Sequence, residues 1–402
     1  MELDRRSEVV ESRGWGPFPY GRGSVLTALM FSMLLSCRSV SSSTAPSEIL
    51  TESWKAYTAR FIQQDGRVID RKAGGISTSE GQAYAMLRAV WMNDRSTFDI
   101  TYTWAVNNLN SGIRTDHLWA WKWGKDPQGK WRVLDRAFAS DADQDAALAL
   151  ILASRVWNEP KYLASARAAV ADLWNHGTIE AGNRRYLLAG DTLCKGSECK
   201  INPSYYAPYA YRIFAQYDKN WKELADTSYW LLTEVSRLTR TQLPPDWVIL
   251  NTSTGTLKLG TAKDSSFSYD AFRTYWRIAL DAELNKDPRA ETWLKETLAW
   301  VIQEWPKRNK LAAVIASSGE PRAAYESPEM LAGLMPALRL VAPEIADAMH
   351  RKIQSTYSQG AWSDKDSYYL QNWAWFGTAL YQRYLGPFVG RASAGAGLSL
   401  VN

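Results

Sequence analysis

The stretch Ile76-Ser77-Thr78-Ser79-Glu80-Gly81-Gln82-Ala83-Tyr84-Ala85-Met86 decides how this chain reads. A loop bearing Ser and Gly runs here into an apolar helix, with a carboxylate at the junction. Ser79 fits the N-cap, where a hydroxyl accepts a hydrogen bond from a free backbone N–H of the first turn. Met86, Leu87, Val90 and Trp91 then recur at helical spacing as one buried stripe. Glu80 therefore stands at the mouth of a helix whose body faces a core. Alone, it is an ordinary first-turn acid favoured by the helix dipole. The arrangement recurs, because Asp141 and Asp270 also stand where a long loop enters a helix.

Outward from this stretch, periodicity and breakers place twelve helices, near 46–62, 79–93, 96–109, 141–157, 160–176, 203–216, 219–238, 269–284, 288–306, 327–341, 343–358 and 366–382. Strand signals are short and lie in connections: Lys130–Leu134, Arg185–Leu188 and Val248–Leu259. The connections alternate in length. Asn93-Asp94-Arg95, Asn158-Glu159, Asp218-Lys219 and Asn285-Lys286-Asp287 are tight, whereas 63–78, 110–140, 177–202, 239–268 and 307–326 are long. Antiparallel neighbours put alternate connections at opposite ends, so the long loops share the face on which a rigid scaffold carries function. Six helix pairs predict an all-α (α/α)6 barrel, with long loops and a few short strands on its groove face. A two-domain all-α arrangement is the alternative, but no Pro/Ser-rich linker divides the chain after residue 48.

Composition agrees with a globular domain: 402 residues, 46% hydrophobic and 22% charged. The 20 Trp and 20 Tyr against 10 Phe favour a wet surface that stacks on flat ligands, since a core would draw on Phe as readily. A net charge of +5 without a Lys/Arg stripe gives no footprint for nucleic acid.

The first 37 residues read as a signal segment. Arg5, Arg6, Arg13 and Arg22 precede an apolar run from Val25 to Leu35, too short to span a bilayer. Leu34-Leu35-Ser36-Cys37 resembles a bacterial lipobox, with Cys37 as the lipidated residue; a simply cleaved secretory signal is the alternative. Residues 38–48 read as a Ser-rich tether, 49–388 as a single (α/α)6 domain and 389–402 as a flexible tail. Cys194 and Cys199 are spaced for a small disulfide in an oxidising compartment. Export to the periplasm, with or without an outer-membrane lipid anchor, or full secretion, is therefore expected.

On the long-loop face the inner helices begin with Glu80, Asp141 and Asp143, Asn202 and Tyr205, Asp270, Glu326, and Asp366 with Tyr368 and Tyr369. Carboxylates and aromatics in one groove can cut a glycosidic bond. One carboxylic acid protonates the leaving oxygen while a carboxylate activates water from the opposite face. An Asp at a helix start is also the commonest cap, so spacing alone leaves both readings open.

Several stretches resemble glycoside hydrolase family eight, in particular its cellulases of bacterial cellulose-secretion systems. They are Gln64-Asp65-Gly66-Arg67-Val68-Ile69-Asp70, Thr78-Ser79-Glu80-Gly81-Gln82, Trp123-Gly124-Lys125, Val133-Leu134-Asp135, Ala139-Ser140-Asp141-Ala142-Asp143, Asn202-Pro203-Ser204-Tyr205, Pro245-Asp246-Trp247-Val248 and Ser268-Tyr269-Asp270-Ala271-Phe272-Arg273, with a weaker echo from Tyr368-Tyr369 to Phe376. The resemblance implies an (α/α)6 barrel and inverting, endo-acting hydrolysis of β-1,4-glucan without a cofactor or catalytic metal. It implies Glu80 as general acid, Asp270 as general base and Asp141 as the carboxylate gripping the distorted sugar. Arg273 would orient base or substrate, and its alternative is a plain i,i+3 ion pair. Trp121, Trp123, Tyr205 and Tyr325 are candidate sugar platforms, with burial in the core as the alternative. Asn202 and Tyr369 complete the substrate-binding set. Asp145 and Ala146 depart from the family pattern, which puts local packing in question. Chitosan, mixed-linkage glucan and xylan are rival substrates, and a non-catalytic polysaccharide-binding lipoprotein is the rival class. The expected partners are the glucan and a cellulose-secretion complex, with the chain itself monomeric. Glu80 must hold its proton near neutral pH, so burial and a neighbouring carboxylate, Asp141 by this reading, have to outweigh the helix dipole.

Overall fold

The computed structural model describes residues 45–385, which leaves the expected signal segment, Cys37, most of the expected tether and the expected tail outside the described residues. In chain order its helices are α1 (Glu48–Phe61), α2 (Ser79–Trp91), α3 (Arg95–Ala105), α4 (Ser140–Val156), α5 (Pro160–Gly177), α6 (Pro208–Phe214), α7 (Trp221–Arg237), α8 (Phe272–Asn285), α9 (Pro288–Thr297), α10 (Ala299–Arg308), α11 (Pro328–Val341), α12 (Pro343–Ser355) and α13 (Tyr368–Tyr381). Every residue of α2 except Glu80 is buried. Burial on all sides marks an inner helix, and it recurs along most of α4, α8, α11 and α13. The ring runs α2, α4, α6, α8, α11, α13, and α13 closes on α2. The outer helices α3, α5, α7, α9 and α12 each pack on the inner helix before them in the chain, and α1 packs on α13. This is the (α/α)6 barrel.

Local chemistry shifts several boundaries. Thr78, not Ser79, caps α2: it stays extended, pairs with Lys122 and accepts the Gly81 N–H at 3.0 Å. The expected helix 203–216 is a 3-10 turn, 203–205, followed by α6. Pro208 has no N–H to donate, and Ala207 before it lies outside the helical region (φ −125°, ψ 74°). The expected helix 288–306 bends at Leu298 into α9 and α10, next to Thr297, whose hydroxyl bonds back to the Trp293 carbonyl at 2.8 Å. α8 begins at Phe272 instead of 269, and α13 at Tyr368 instead of 366, where the Ser367 hydroxyl caps it.

Four small sheets lie in the connections at the groove end: 77–78 with 122–125 and 131–135; 178–181 with 184–187; 194–195, 198–201, 248–251 and 257–259; and 357–358 with 361–362. The expected strand 248–259 is thus two strands, split by a turn in which Asn251 Oδ1 accepts the N–H groups of Ser253 and Thr254. Cys194 and Cys199 are disulfide-bonded across their hairpin. Gly66 turns the loop before α2 with φ +92°, and a Cβ there would fall 2.1 Å from the Ile100 carbonyl oxygen. Gln82 ties the same loop down, accepting from Val68 N at 2.5 Å and donating to the Thr101 carbonyl at 3.0 Å. At the opposite, tight-turn end, the Ser47 hydroxyl meets Gln382 Oε1 at 2.7 Å, so the two ends of the described chain lie side by side.

Candidate active site

The inner-helix starts bring Glu80, Asp141 and Asp270 around one buried guanidinium. Arg273, 2% exposed, lies in the first turn of α8. Its Nη1 donates to Glu80 Oε2 at 2.9 Å and to Asp141 Oδ2 at 3.2 Å, while Nη2 donates to Asp270 Oδ1. Glu80 and Asp270 therefore hang on different nitrogens of one planar fork. The i,i+3 pair foreseen for Arg273 exists, but it is one arm of a larger cluster. Four residues deeper the pattern repeats, with Arg277 gripping Asp145 through both nitrogens at 2.8 and 2.9 Å and donating to the Tyr209 hydroxyl at 2.8 Å. Asp141 and Asp145 on α4 face Arg273 and Arg277 on α8, so two ion-pair rungs cross the barrel interior. The charge at Asp145 is thereby accounted for.

Exposure separates the three carboxylates. The Asp270 side chain is 32% exposed and Glu80 20%, whereas Asp141 is 4% exposed. Burial raises Glu80 above the usual carboxylate range, opposed by Arg273 and by the Tyr368 hydroxyl, which donates to Oε1 at 2.7 Å. The carboxylate that adds to the rise on Glu80 is Asp270. Burial pushes Asp141 up to about 7 against Arg273, with Glu80 and Asp145 adding repulsion.

For stability the sign follows from linkage. Unfolded Asp141 would ionise near 3.8, but the folded chain holds the proton to about 7. Its contribution to stability is therefore lost as pH rises through that window. Asp141→Asn is expected to raise Tm at pH 8 by roughly 2 °C, with no gain below pH 4. Equal shifts at both pH values in a thermal melt would refute this.

Other predicted residues divide. Tyr205 joins the site, its ring 5.3 Å from the Arg273 guanidinium and 6.0 Å from Trp247. Tyr369 donates to the Tyr269 carbonyl at 2.6 Å on the turn that carries Asp270. Tyr325, 57% exposed, stands at the rim with its side chain hydrogen-bonded to Tyr269. Trp121 is half-buried just ahead of the strand 122–125, and its carbonyl accepts the Ser79 N–H at 3.0 Å. Trp123 has one face covered by Trp131, stacked at 4.8 Å, and Arg67 lies 4.4 Å from its ring. Asn202 is buried, and its Oδ1 caps the turn at Ser204. Asp143 accepts the Trp119 N–H, Glu326 pairs with Lys352, and Asp366 pairs with Arg60. None of these last three joins the cluster.

The sequence reading missed Trp247 and Asp246 as individual residues. Trp247 Nε1 donates to Asp270 Oδ2 at 3.0 Å. Asp246, buried, accepts the N–H groups of Ser268, Asp270 and Ala271 at 3.0, 3.2 and 2.8 Å, which sets the turn ahead of α8. Burial, followed by the charge of Asp270, pushes Asp246 up to about 7. Tyr368 and Tyr84, the latter 3.3 Å from Glu80 Oε2, were also unassigned. The one signal for the Asp246-Trp247 pair was its place in a quoted motif.

A family model for glycosyl hydrolases family 8 matches residues 23–341. An endoglucanase of Pseudomonas fluorescens (strain SBW25) is 35% identical over 251 residues, which is 60% of this chain and 62% of that protein. The chain thus spans about three fifths of the length of the curated relatives it matches first. Among solved structures, endo-1,4-D-glucanase from Vibrio fischeri ES114 is similar with a TM-score of 0.71 and 25% identity over 82% of this chain and 94% of that one. Endo-β-1,4-glucanase CMCax from Acetobacter xylinum gives 0.69 and 26% over 84% and 99%. A barrel with carboxylates at the starts of its inner helices, matched along most of its length by one family model, belongs to glycosyl hydrolases family 8.

Proposed function

We propose that this chain is an inverting endo-β-1,4-glucanase. The observation that carries the reading is the Arg273 fork, which holds a partly exposed Asp270 and an acid of raised pKa, Glu80, on different nitrogens at the groove floor. Glu80 gives its proton to the glycosidic oxygen as the C–O bond breaks. Asp270 takes a proton from the water that attacks the anomeric carbon from the opposite side. Asp141 accepts from the distorted sugar between them, and Arg273 keeps the carboxylates apart. For inversion their carboxyls should stand roughly 6.5–9.5 Å apart once substrate and water are bound. Soluble protein from Ser47 onward, incubated with cellopentaose and followed by NMR, is expected to release the α-anomer first. The β-anomer first, turnover of chitosan oligomers alone, or cellopentaose bound but uncut would each overturn the reading.

Trp247 tests the base separately. Trp247→Phe keeps an aromatic ring, though a smaller one, and removes the N–H that orients Asp270. It is expected to lower kcat on cellopentaose by about tenfold with KM nearly unchanged, the size of a hydrogen bond to a charged group. An unchanged kcat would detach Trp247 from Asp270's role.

We also place the enzyme outside the cytoplasm, held by a lipid on Cys37 and trimming glucan during cellulose secretion. The sequence pattern and family likeness support this, and a disulfide suits an oxidising compartment. Palmitate labelling of the full chain in cells should vanish in Cys37→Ser; labelling that persists would remove the anchor.

A further inference from the structure

Away from the carboxylates, a cleft of about 360 Å³ opens at the groove end of the outer ring, within the size range of small-ligand sites. The hairpin 178–187 forms one wall, the turn 252–256 the other, and the last turns of α7 the floor. Its walls meet backbone to backbone. Gly182 (φ +60°) and Gly255 (φ +74°) face one another so closely that a Cβ on either would lie 3.0 Å from a carbonyl oxygen of the opposite turn. The Tyr186 hydroxyl fixes the contact by donating to the Gly255 carbonyl at 3.2 Å.

The lining has the chemistry of a sugar site. Trp230, half-buried, meets Tyr186 edge to face at 6.1 Å, while Arg184 sits 4.6 Å from the Trp230 ring. Asn183 exposes an amide, the exposed Thr254 and Thr256 hydroxyls pair with each other at 2.8 Å, which leaves each able to make a further hydrogen bond, and Glu234 adds a carboxylate already balanced by Arg237 at 2.7 Å. An aromatic surface bordered by amide, hydroxyl and charge-balanced groups suits the C–H face and hydroxyls of a neutral hexose better than an ion or a lipid. Both walls also run on to the catalytic centre. The turn 252–256 follows the strand that starts beside Trp247. The hairpin leads to Ala189, whose carbonyl accepts the Ser140 N–H at 3.2 Å, one residue before Asp141.

We propose that this cleft is a second glucan-binding site, which holds a segment of the same neutral β-linked polymer that the groove cuts. The inference rests on the glucanase reading. It predicts tighter holding of long chains without a change in the chemistry of short ones.

The test uses the full chain carrying Glu80→Gln, to block turnover, titrated calorimetrically with cellotetraose. Two binding events per chain are expected. Trp230→Ala should abolish one, and Asn183→Ala should weaken the same one; loss of ring stacking is worth about tenfold in affinity. With Glu80 restored, both variants should cut cellopentaose at about the parent rate, while KM on a long soluble β-glucan rises by about threefold. A single event in the parent, or a second event untouched by both substitutions, overturns the second site and leaves the groove intact. No cellotetraose binding at all overturns both the second site and the glucanase reading. If Trp230→Ala fails to fold, Asn183→Ala decides alone.

Discussion

Glu80→Gln is expected to lower kcat on cellopentaose by about a thousandfold, the scale of a lost general acid, and to abolish the alkaline limb of the pH–rate profile. Glutamine keeps the shape: its one carbonyl oxygen can still accept from Arg273, while its NH2 can donate to the Tyr368 hydroxyl oxygen in place of the bond that Glu80 accepts now. It has no proton to give the departing oxygen. In the parent, activity is expected to fall as pH rises through the raised pKa of Glu80, because the proposed acid form is lost. The variant has nothing to titrate there, so the limb flattens, while the acidic limb, which belongs to the base, remains. KM should hardly move, since no contact with the sugar is removed. A variant with near-normal kcat, or one that keeps its alkaline limb, would take the acid's role away from Glu80.

Arg273→Ala should be the more damaging change, because it removes function and stability together. It leaves Glu80, Asp141 and Asp270 without their shared cation and opens a hole where a side chain only 2% exposed had stood. Breaking a buried ion pair from one side costs about 3–5 kcal/mol. The loss should grow with pH, since acid conditions let the stranded carboxylates take up protons. Activity on cellopentaose is expected to drop below detection. Arg273→Lys retains the charge but cannot present two separate nitrogens, so it should recover stability better than rate. Urea melts at pH 5 and pH 8 give the check: an Arg273→Ala protein as stable as the parent at both would mean that protonation, not this guanidinium, neutralises the cluster.

The parts of this protein that a linear reading captured are those written in local spacing. Alternating loop lengths gave the ring its two faces, and carboxylates at helix starts gave the groove its acids. What escaped were partnerships between distant residues. Tyr368 lies 288 positions from Glu80, and Asp246 holds backbone groups 22 to 25 positions further on. No periodicity links such pairs. The rungs between α4 and α8 were half visible, because Asp141 and Asp145 share the four-residue spacing of Arg273 and Arg277, and both pairs are 132 positions apart. Read singly, Asp145 was only a departure from pattern. The bend at Leu298 escaped for the opposite reason: the periodicity continues through it, and only the back-bonded Thr297 marks the place.

The contact between Ser47 and Gln382 puts both ends of the described residues on one side of the barrel. α1 sets out from, and α13 arrives at, the end remote from the groove. A tether attached at that side would point the groove away from its anchor. An affinity tag or a fused module attached there would also leave the entrance clear. The adjacency further suits a short engineered bridge from 382 back to 47, with new chain ends opened at a tight turn such as 157–159 on the same rear side.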